Sequence, residues 1–221
     1  LFDRFLNTDA PTADAVYILG DLFEAWIGDD DLNDFNLSII TKIRRCVDNG
    51  TPVFVMPGNR DFLMGDRFAT LTGCTLLSDP YILKLYDKNI LLMHGDTLCT
   101  HDKLHQYYRR VVQNPFIKRL SMILLPLTIR KRLGKGLRKL SKRHISRQSA
   151  NTLDVINSSV LKKFQEFPAE ILIHGHTHRP MIETTYIDLQ PRIRYVLSAW
   201  HDSGTAIRIN SDQTMQFISI T

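Results

Sequence analysis

Ile171-Leu172-Ile173-His174-Gly175-His176-Thr177-His178 is the stretch on which the fold turns, an apolar β-branched run that stops at a cluster of imidazoles. Such a run, bounded by glycine, reads as a strand buried on both faces, the kind found in parallel sheets covered by helices. Three further runs end alike. Ala15 to Leu19 meets Gly20-Asp21, Val53 to Met56 meets Pro57-Gly58-Asn59, and Ile90 to Met93 meets His94-Gly95-Asp96. In open α/β sheets ligands gather beyond the carboxyl ends of strands. Asp21, Asn59, His94, His176 and His178 therefore form a candidate site at one edge of a sheet. A carboxylate, an amide oxygen and imidazoles suit Mn²⁺, Fe²⁺ or Zn²⁺, and the lack of a thiolate argues against structural zinc. On an extended strand His176 and His178, two residues apart, present their rings on the same side.

Outward from these ends, the periodicity predicts a helix over about Asn33 to Asp48, with Leu37, Ile40, Ile43 and Val47 on its apolar face and Asn49-Gly50 as a stop. A helical patch follows over Gly65 to Thr72. Strands around Ile82–Leu85 and Ile90–Met93 flank a turn at Tyr86-Asp87-Lys88-Asn89. Lys103 to about Phe167 reads as helical throughout, broken at Pro115, Pro126 and Gly134 to Gly136. After His178 only strand-like segments remain, at Ile182–Leu189, Ile193–Leu197, Thr205–Ile209 and Met215–Ile220.

At 221 residues, 43% hydrophobic and 23% charged, the chain is of ordinary globular composition, which excludes disordered, fibrous and disulfide-scaffold classes. Cys46, Cys74 and Cys99 are scattered and read as buried or free thiols of a reducing compartment. The longest apolar run, Leu120 to Ile129, is about half the length of a membrane span. The sequence opens at Leu1 without an initiator Met or an apolar signal core, so the expectation is that processing or truncation has removed its start. The net charge of +5 hides an asymmetry: no acidic residue lies between Asp102 and Asp154, an interval that holds 14 of the 28 Lys and Arg. A basic block inside an otherwise acidic chain reads as a surface for a polyanion, whether phosphorylated ligand, anionic membrane or nucleic acid.

The blocks Gly20-Asp21, Gly58-Asn59-Arg60-Asp61, His94-Gly95-Asp96 and Gly175-His176-Thr177-His178 resemble the calcineurin-like metallophosphoesterases, whose signature runs D-x-H, G-D, G-N-H-D, a histidine after a strand, and G-H-x-H. The resemblance implies an α/β fold, a β-sandwich flanked by helices with an inserted helical cap. Residues 1–102 and 168–221 form the phosphoesterase core and 103–167 the basic, amphipathic insertion. By the same resemblance Asp21, Asn59, His94 and His176 make one metal shell, and Asp21 with His178 is half of a second, for a pair of Mn²⁺ ions. Nothing before Asp21 reads as a strand ending in D-x-H, so the second shell is incomplete and the sequence is expected to begin a strand too late.

Arg60 stands where the general signature has a histidine able to protonate a leaving alkoxide. Arginine stays charged and instead clamps phosphate oxygens in a bidentate fork, or else pairs at the surface with Asp61. A reaction without that acid favours a leaving group that needs no proton, as in a pyrophosphate. Arg60 within the longer blocks Gly20-Asp21-Leu22-Phe23-Glu24-Ala25-Trp26-Ile27-Gly28-Asp29-Asp30, His94-Gly95-Asp96-Thr97-Leu98-Cys99-Thr100 and His174-Gly175-His176-Thr177-His178-Arg179-Pro180 is similar to the UDP-2,3-diacylglucosamine hydrolases of lipid A biosynthesis. That likeness implies metal-dependent hydrolysis of UDP-2,3-diacylglucosamine to UMP and 2,3-diacylglucosamine 1-phosphate by a monomer, peripheral to the cytoplasmic face of a Gram-negative inner membrane. It implies Arg60 as a catalytic residue, and Asn59, Arg60, Asp102, Arg138, Ser141 and His176 as substrate contacts. His174 and Asp96 are candidates for orienting ligands from behind.

Within the insertion, Leu120, Ile123, Leu124, Leu127 and Ile129 supply an apolar face, followed at once by Arg130, Lys131, Arg132, Lys135, Arg138 and Lys139. This is the pattern of an amphipathic element on an anionic membrane, and also of ordinary helix packing. A nuclease would interleave aromatics with its charge for stacking, whereas Tyr107, Tyr108 and Phe116 cluster at one end, so no nucleic-acid partner is expected. Another phosphodiesterase and a non-catalytic scaffold of the same fold are the remaining alternatives, and the retained ligand set argues against the scaffold.

Overall fold

The computed structural model describes residues 1–145 and 154–221. Its first elements are helix α1 (Phe2–Thr8), a 3-10 turn at Ala10–Thr12, strand β1 (Val16–Leu19), helix α2 (Asp34–Asp48), β2 (Val53–Met56), α3 (Asp66–Thr72) and β3 (Thr75–Leu76). β1, β2 and β3 form a parallel three-stranded sheet in which Leu19 pairs with Met56. A second, five-stranded sheet contains β4 (Tyr81–Leu85), β5 (Lys88–Met93), β6 (Ile171–His174), β7 (Met181–Ile187) and β8 (Gln190–Val196) in the order β4-β5-β6-β8-β7. β5, β6 and β8 run parallel, with β4 and β7 as antiparallel edges. A hairpin of β9 (Gly204–Ile209) and β10 (Met215–Ile220) completes the strands.

Side-chain alternation turns these sheets into layers. Ile90, Leu92, Ile171 and Ile173 point one way and meet Leu19 and Met56 of the first sheet between the two. Leu91, Met93 and Leu172 point the other way, against Val160 and Phe164 of helix α7 (Asn157–Glu166). The far face of the first sheet takes Ile39, Ile40 and Ile43 of α2 and Phe68 of α3. The result is a β-sandwich with helices on both outer faces. Helix α7, grouped with the insertion by its helical reading, thus lies against the core sheet.

In chain order α4 (Lys103–Val112), α5 (Pro115–Leu124) and α6 (Leu127–Ile145) come between β5 and β6. Pro115 starts α5 behind the Asn114 cap, and Pro126 separates α5 from α6. The expected break at Gly134 to Gly136 does not occur. Each glycine costs a helix about 1 kcal/mol relative to alanine, and the surrounding Leu, Lys and Arg outweigh that. Two further expectations shift. The buried face of α2 is Ile39, Ile40, Ile43 and Cys46, leaving Leu37 exposed. The β4–β5 turn is only Tyr86-Asp87, both in the left-handed region at φ 48° and 62°, which twists the hairpin correctly and lets Lys88 and Asn89 join the strand.

Cys46, Cys74 and Cys99 are free and buried, in keeping with the sequence reading. Burial raises all three thiols, and for Cys99 burial with Asp96, Asp154 and Asp102 nearby pushes it to about 12. The thiolate is the reactive form, so a disulfide reagent at pH 8 is expected to leave the native protein unmodified and to titrate three thiols only after unfolding. Rapid labelling of the native protein would contradict this burial.

Candidate metal centre and active site

β1 ends at Gly20-Asp21, β2 at Gly58-Asn59, β5 at His94 and β6 just before Gly175-His176, so parallel strand ends of both sheets deliver the donors to one place. The approach is close enough to require glycine. A Cβ on Gly20, whose φ is +86°, would lie 2.5 Å from His94 Nδ1 and 2.7 Å from Gly58 Cα. Asp21 and His176 are themselves left-handed, at φ 56° and 65°, backbone strain of the kind that concentrates at functional sites.

One ligand atom each from Asp21, His94 and His176 lies within 4.8 Å of the others. Asn59 joins them: its Oδ1 is 2.8 Å from His94 Nε2 and 3.1 Å from His176 Nδ1. His94 Nδ1 donates to Leu19 O at 2.9 Å, which leaves Nε2 as the nitrogen facing the cluster. Burial alone lowers the His94 pKa, but the carboxylates of Asp21, Asp96 and Asp79 outweigh it and hold the ring above its usual range. Lone-pair donors thus converge in an excess of negative charge. Oxygen and nitrogen donors in this number fit a first-row divalent cation.

His178 takes a different place from the one the alternation argument gives it. β6 has ended at His174, Thr177 N bonds back to Gly175 O at 2.8 Å, and His178 is left-handed at φ 60°, so the two rings do not share a strand face. His178 is outside the Asp21–His94–His176 group. It is half-buried, and burial followed by the Arg60 charge lowers its pKa while Asp21 opposes them.

Arg60 does not pair with Asp61. Its Nε is 3.1 Å from Asp21 Oδ2, and its Nη1 is 2.9 Å from Glu24 Oε2. Asp61 instead is fully buried and accepts from Gly58 N at 2.5 Å, Asp21 N at 3.3 Å and Phe23 N at 3.4 Å. It joins the loops after β1 and β2. Burial, with Asp21 beside it, pushes its carboxyl up to about 6. Asp29 extends the same framework, accepting from Trp26 Nε1 at 2.9 Å and Phe68 N at 3.0 Å.

From the helical segment, Arg138 reaches Glu24, and Ser141 is exposed one turn further along α6. Asp102 is buried at the head of α4, apart from the donor group. His174 is fully buried, driven down to about 4 by that burial, and its Nδ1 donates to Gly175 O at 2.9 Å. The sequence reading missed Glu24 and Asp61, and it also missed Arg109. Arg109 Nε donates to Asp96 Oδ2 at 2.6 Å and Nη2 to Asp79 Oδ2 at 3.1 Å, while Asp79 Oδ1 accepts from His94 N at 3.3 Å. Arg109→Ala removes the cation shared by two largely buried carboxylates and is expected to cost about 2 kcal/mol, less than for a fully buried pair because Arg109 is partly exposed. For a chain of this size that is a fall of about 4–8 °C in Tm by calorimetry. An unchanged Tm would remove Arg109 from the framework.

Residues 1–180 match the calcineurin-like phosphoesterase family. The chain is 47% identical over 215 residues to UDP-2,3-diacylglucosamine hydrolase of Coxiella burnetii strain Dugway 5J108-111, an alignment covering 97% of this chain and 88% of that protein. It is 47% identical over 211 residues to the protein of the same name from Salmonella arizonae, covering 96% and 88% of the two. A solved archaeal phosphodiesterase superposes with a TM-score of 0.47 at 12% identity, covering 99% of this chain and 88% of its own. With the strand-end donors in place and these relatives spanning nearly its whole length, the chain belongs to the calcineurin-like phosphoesterase family, in the branch whose members carry the name UDP-2,3-diacylglucosamine hydrolase.

Proposed function

We propose that this chain hydrolyses the pyrophosphate of UDP-2,3-diacylglucosamine, releasing UMP and 2,3-diacylglucosamine 1-phosphate, with two Mn²⁺ ions at the strand ends. The observation that carries the reading is Arg60, a permanent cation beside Asp21 where an acid histidine would serve an alkoxide leaving group. Asp21, Asn59, His94 and His176 are the residues to hold one ion, and Asp21 with His178 part of the shell of the other. When bound, such ions would lower the pKa of a water towards neutrality and neutralise phosphoryl oxygens. In the hydrolysis a water oxygen would bond to one phosphorus and the P–O–P bridge break, one water proton passing to solvent and the other phosphate monoester leaving as its anion, with no proton taken from the protein. Arg60 then holds the charge that develops on the pyrophosphate oxygens.

The helical segment supplies the rest of the reading. Arg138 and Ser141 lie three residues apart on α6, a spacing that puts neighbours on one face, and are proposed to meet the glucosamine phosphate. Leu120, Ile123, Leu124, Leu133, Leu137 and Leu140 are exposed among the basic residues. These apolar side chains are proposed to shelter the acyl chains and to rest on the anionic cytoplasmic leaflet of an inner membrane. Among the described residues no helix is long and apolar enough to cross a membrane. The test is UMP release from UDP-2,3-diacylglucosamine by the purified chain with Mn²⁺, expected to stop on chelation. Cleavage of a simple phosphodiester with no action on the lipid would overturn the substrate and leave a phosphoesterase.

A further inference from the structure

Arg60, on the loop after β2, and Arg138, on α6, reach one carboxylate from different elements. Arg60 Nη1 donates to Glu24 Oε2 at 2.9 Å, and Arg138 Nη2 donates to Glu24 Oε1. Glu24 stands on the loop after β1 that also carries Asp21. The cleft it borders has a volume of about 800 Å³, and Ile27, Lys131, Lys135 and Arg138 are among its walls.

α6 docks on this loop through contacts that differ in burial, among them Lys131 Nζ with Asp31 Oδ1 at 2.7 Å. Arg130 is buried, its Nη1 donating to Ile27 O at 2.6 Å and to Asp30 Oδ1 at 2.9 Å. Two turns along, about 12 Å up the helix, the Arg138–Glu24 pair is more open: the Glu24 side chain is 63% exposed and that of Arg138 23%. The buried contact fixes the helix, while an exposed pair is weak enough to give way to a competing anion.

We propose that Glu24 is a positioning residue that stands in for the substrate's phosphate. In the free enzyme its carboxylate gathers Arg60 and Arg138 into one anion-binding fork, and the incoming diphosphate takes its place. The inference rests on the pyrophosphate reading above. A guanidinium fork accepts carboxylate and phosphoryl oxygens in the same geometry, so two arginines turned to one carboxylate are already turned to one phosphoryl group. The substrate's diphosphate brings two charges, one on each phosphorus, against the single charge of Glu24, which drives the exchange. Removing the Glu24 charge acts twice in the same direction. It leaves no pair to break, and it leaves two guanidinium groups whose repulsion an anion relieves.

Glu24→Gln is therefore expected to bind methylenediphosphonate, in the Mn²⁺-loaded protein, about three- to tenfold more tightly than the parent, the scale of partly exposed pairs such as those with Arg60 and Arg138. Calorimetric titration reads the affinity. A residue with a merely structural role would lower it or leave it alone. In an Arg138→Met background the gain should vanish. Equal or weaker binding by Glu24→Gln overturns the proposal, as does a gain that persists without Arg138. If the parent releases no UMP from the lipid while the gain is present, the substrate reading fails and the fork stands.

Discussion

Asp21→Asn is expected to lower UMP release by on the order of 10³-fold, the loss that follows when several kcal/mol of metal-dependent charge stabilisation disappear. Asp21 is the only carboxylate among the three clustered donors, so its charge is what distinguishes a site for a divalent cation from a neutral pair of imidazoles. Asparagine keeps the shape. Its amide oxygen still accepts from Arg60 N, which bonds Asp21 Oδ1 at 2.9 Å, so the loop after β2 keeps its anchor. It also removes a repulsion, because Asp21 is one of the two influences that raise the buried Asp61. The protein should fold with a Tm no lower than the parent's while Mn²⁺ affinity, read by calorimetric titration, collapses. Activity within tenfold of the parent would mean that the clustered donors are not the reaction site.

The strand ends were legible because each donor is placed by local chemistry: a buried run that stops at a ligand with a glycine beside it. Asp21, Asn59, His94 and His176 meet for that reason, and the layers follow from runs such as Ile90–Met93 that bury side chains on both faces. What depended on backbone handedness was not legible. His176 and His178 are left-handed, so counting two residues along an extended strand misplaced the second ring. The turn at Tyr86-Asp87 hid similarly, since neither residue is a glycine that would advertise positive φ. Long-range partners were the other blind spot. Glu24 meets Arg138 across 114 positions and Arg109 meets Asp79 across 30, and no local pattern marks either pair. Gly134 misled for a third reason: its missing side chain serves contact with Ile27, whose Cγ2 would sit 3.0 Å from a Cβ there, rather than a helix break.

Gly58→Ala is expected to reduce turnover by about 100-fold, although the substitution adds a single methyl group, because reacting groups misplaced by an ångström lose rate on that scale. The new Cβ would lie 2.5 Å from Asp21 Oδ1, 2.6 Å from Asp21 N and 2.8 Å from His94 Cε1. Two of the three donors are therefore pushed at once, and one of the contacts is backbone that cannot rotate away. Relief by moving Gly58 instead would break its bond to Asp61 Oδ1, which ties the loops after β1 and β2 together. The core beneath, Val55 and Met56, is untouched, so the damage stays at the strand ends and the fold survives. Gly136→Ala is the matched control. Nothing lies within 4 Å of a Cβ at that helical position, and alanine there should add about 1 kcal/mol of helix stability without a change in rate. Comparing UMP release and Tm across the two variants separates crowding of the donors from a general effect of replacing glycine. A Gly58→Ala protein with full turnover would show that the close approach of β1, β2 and β5 is a matter of packing alone.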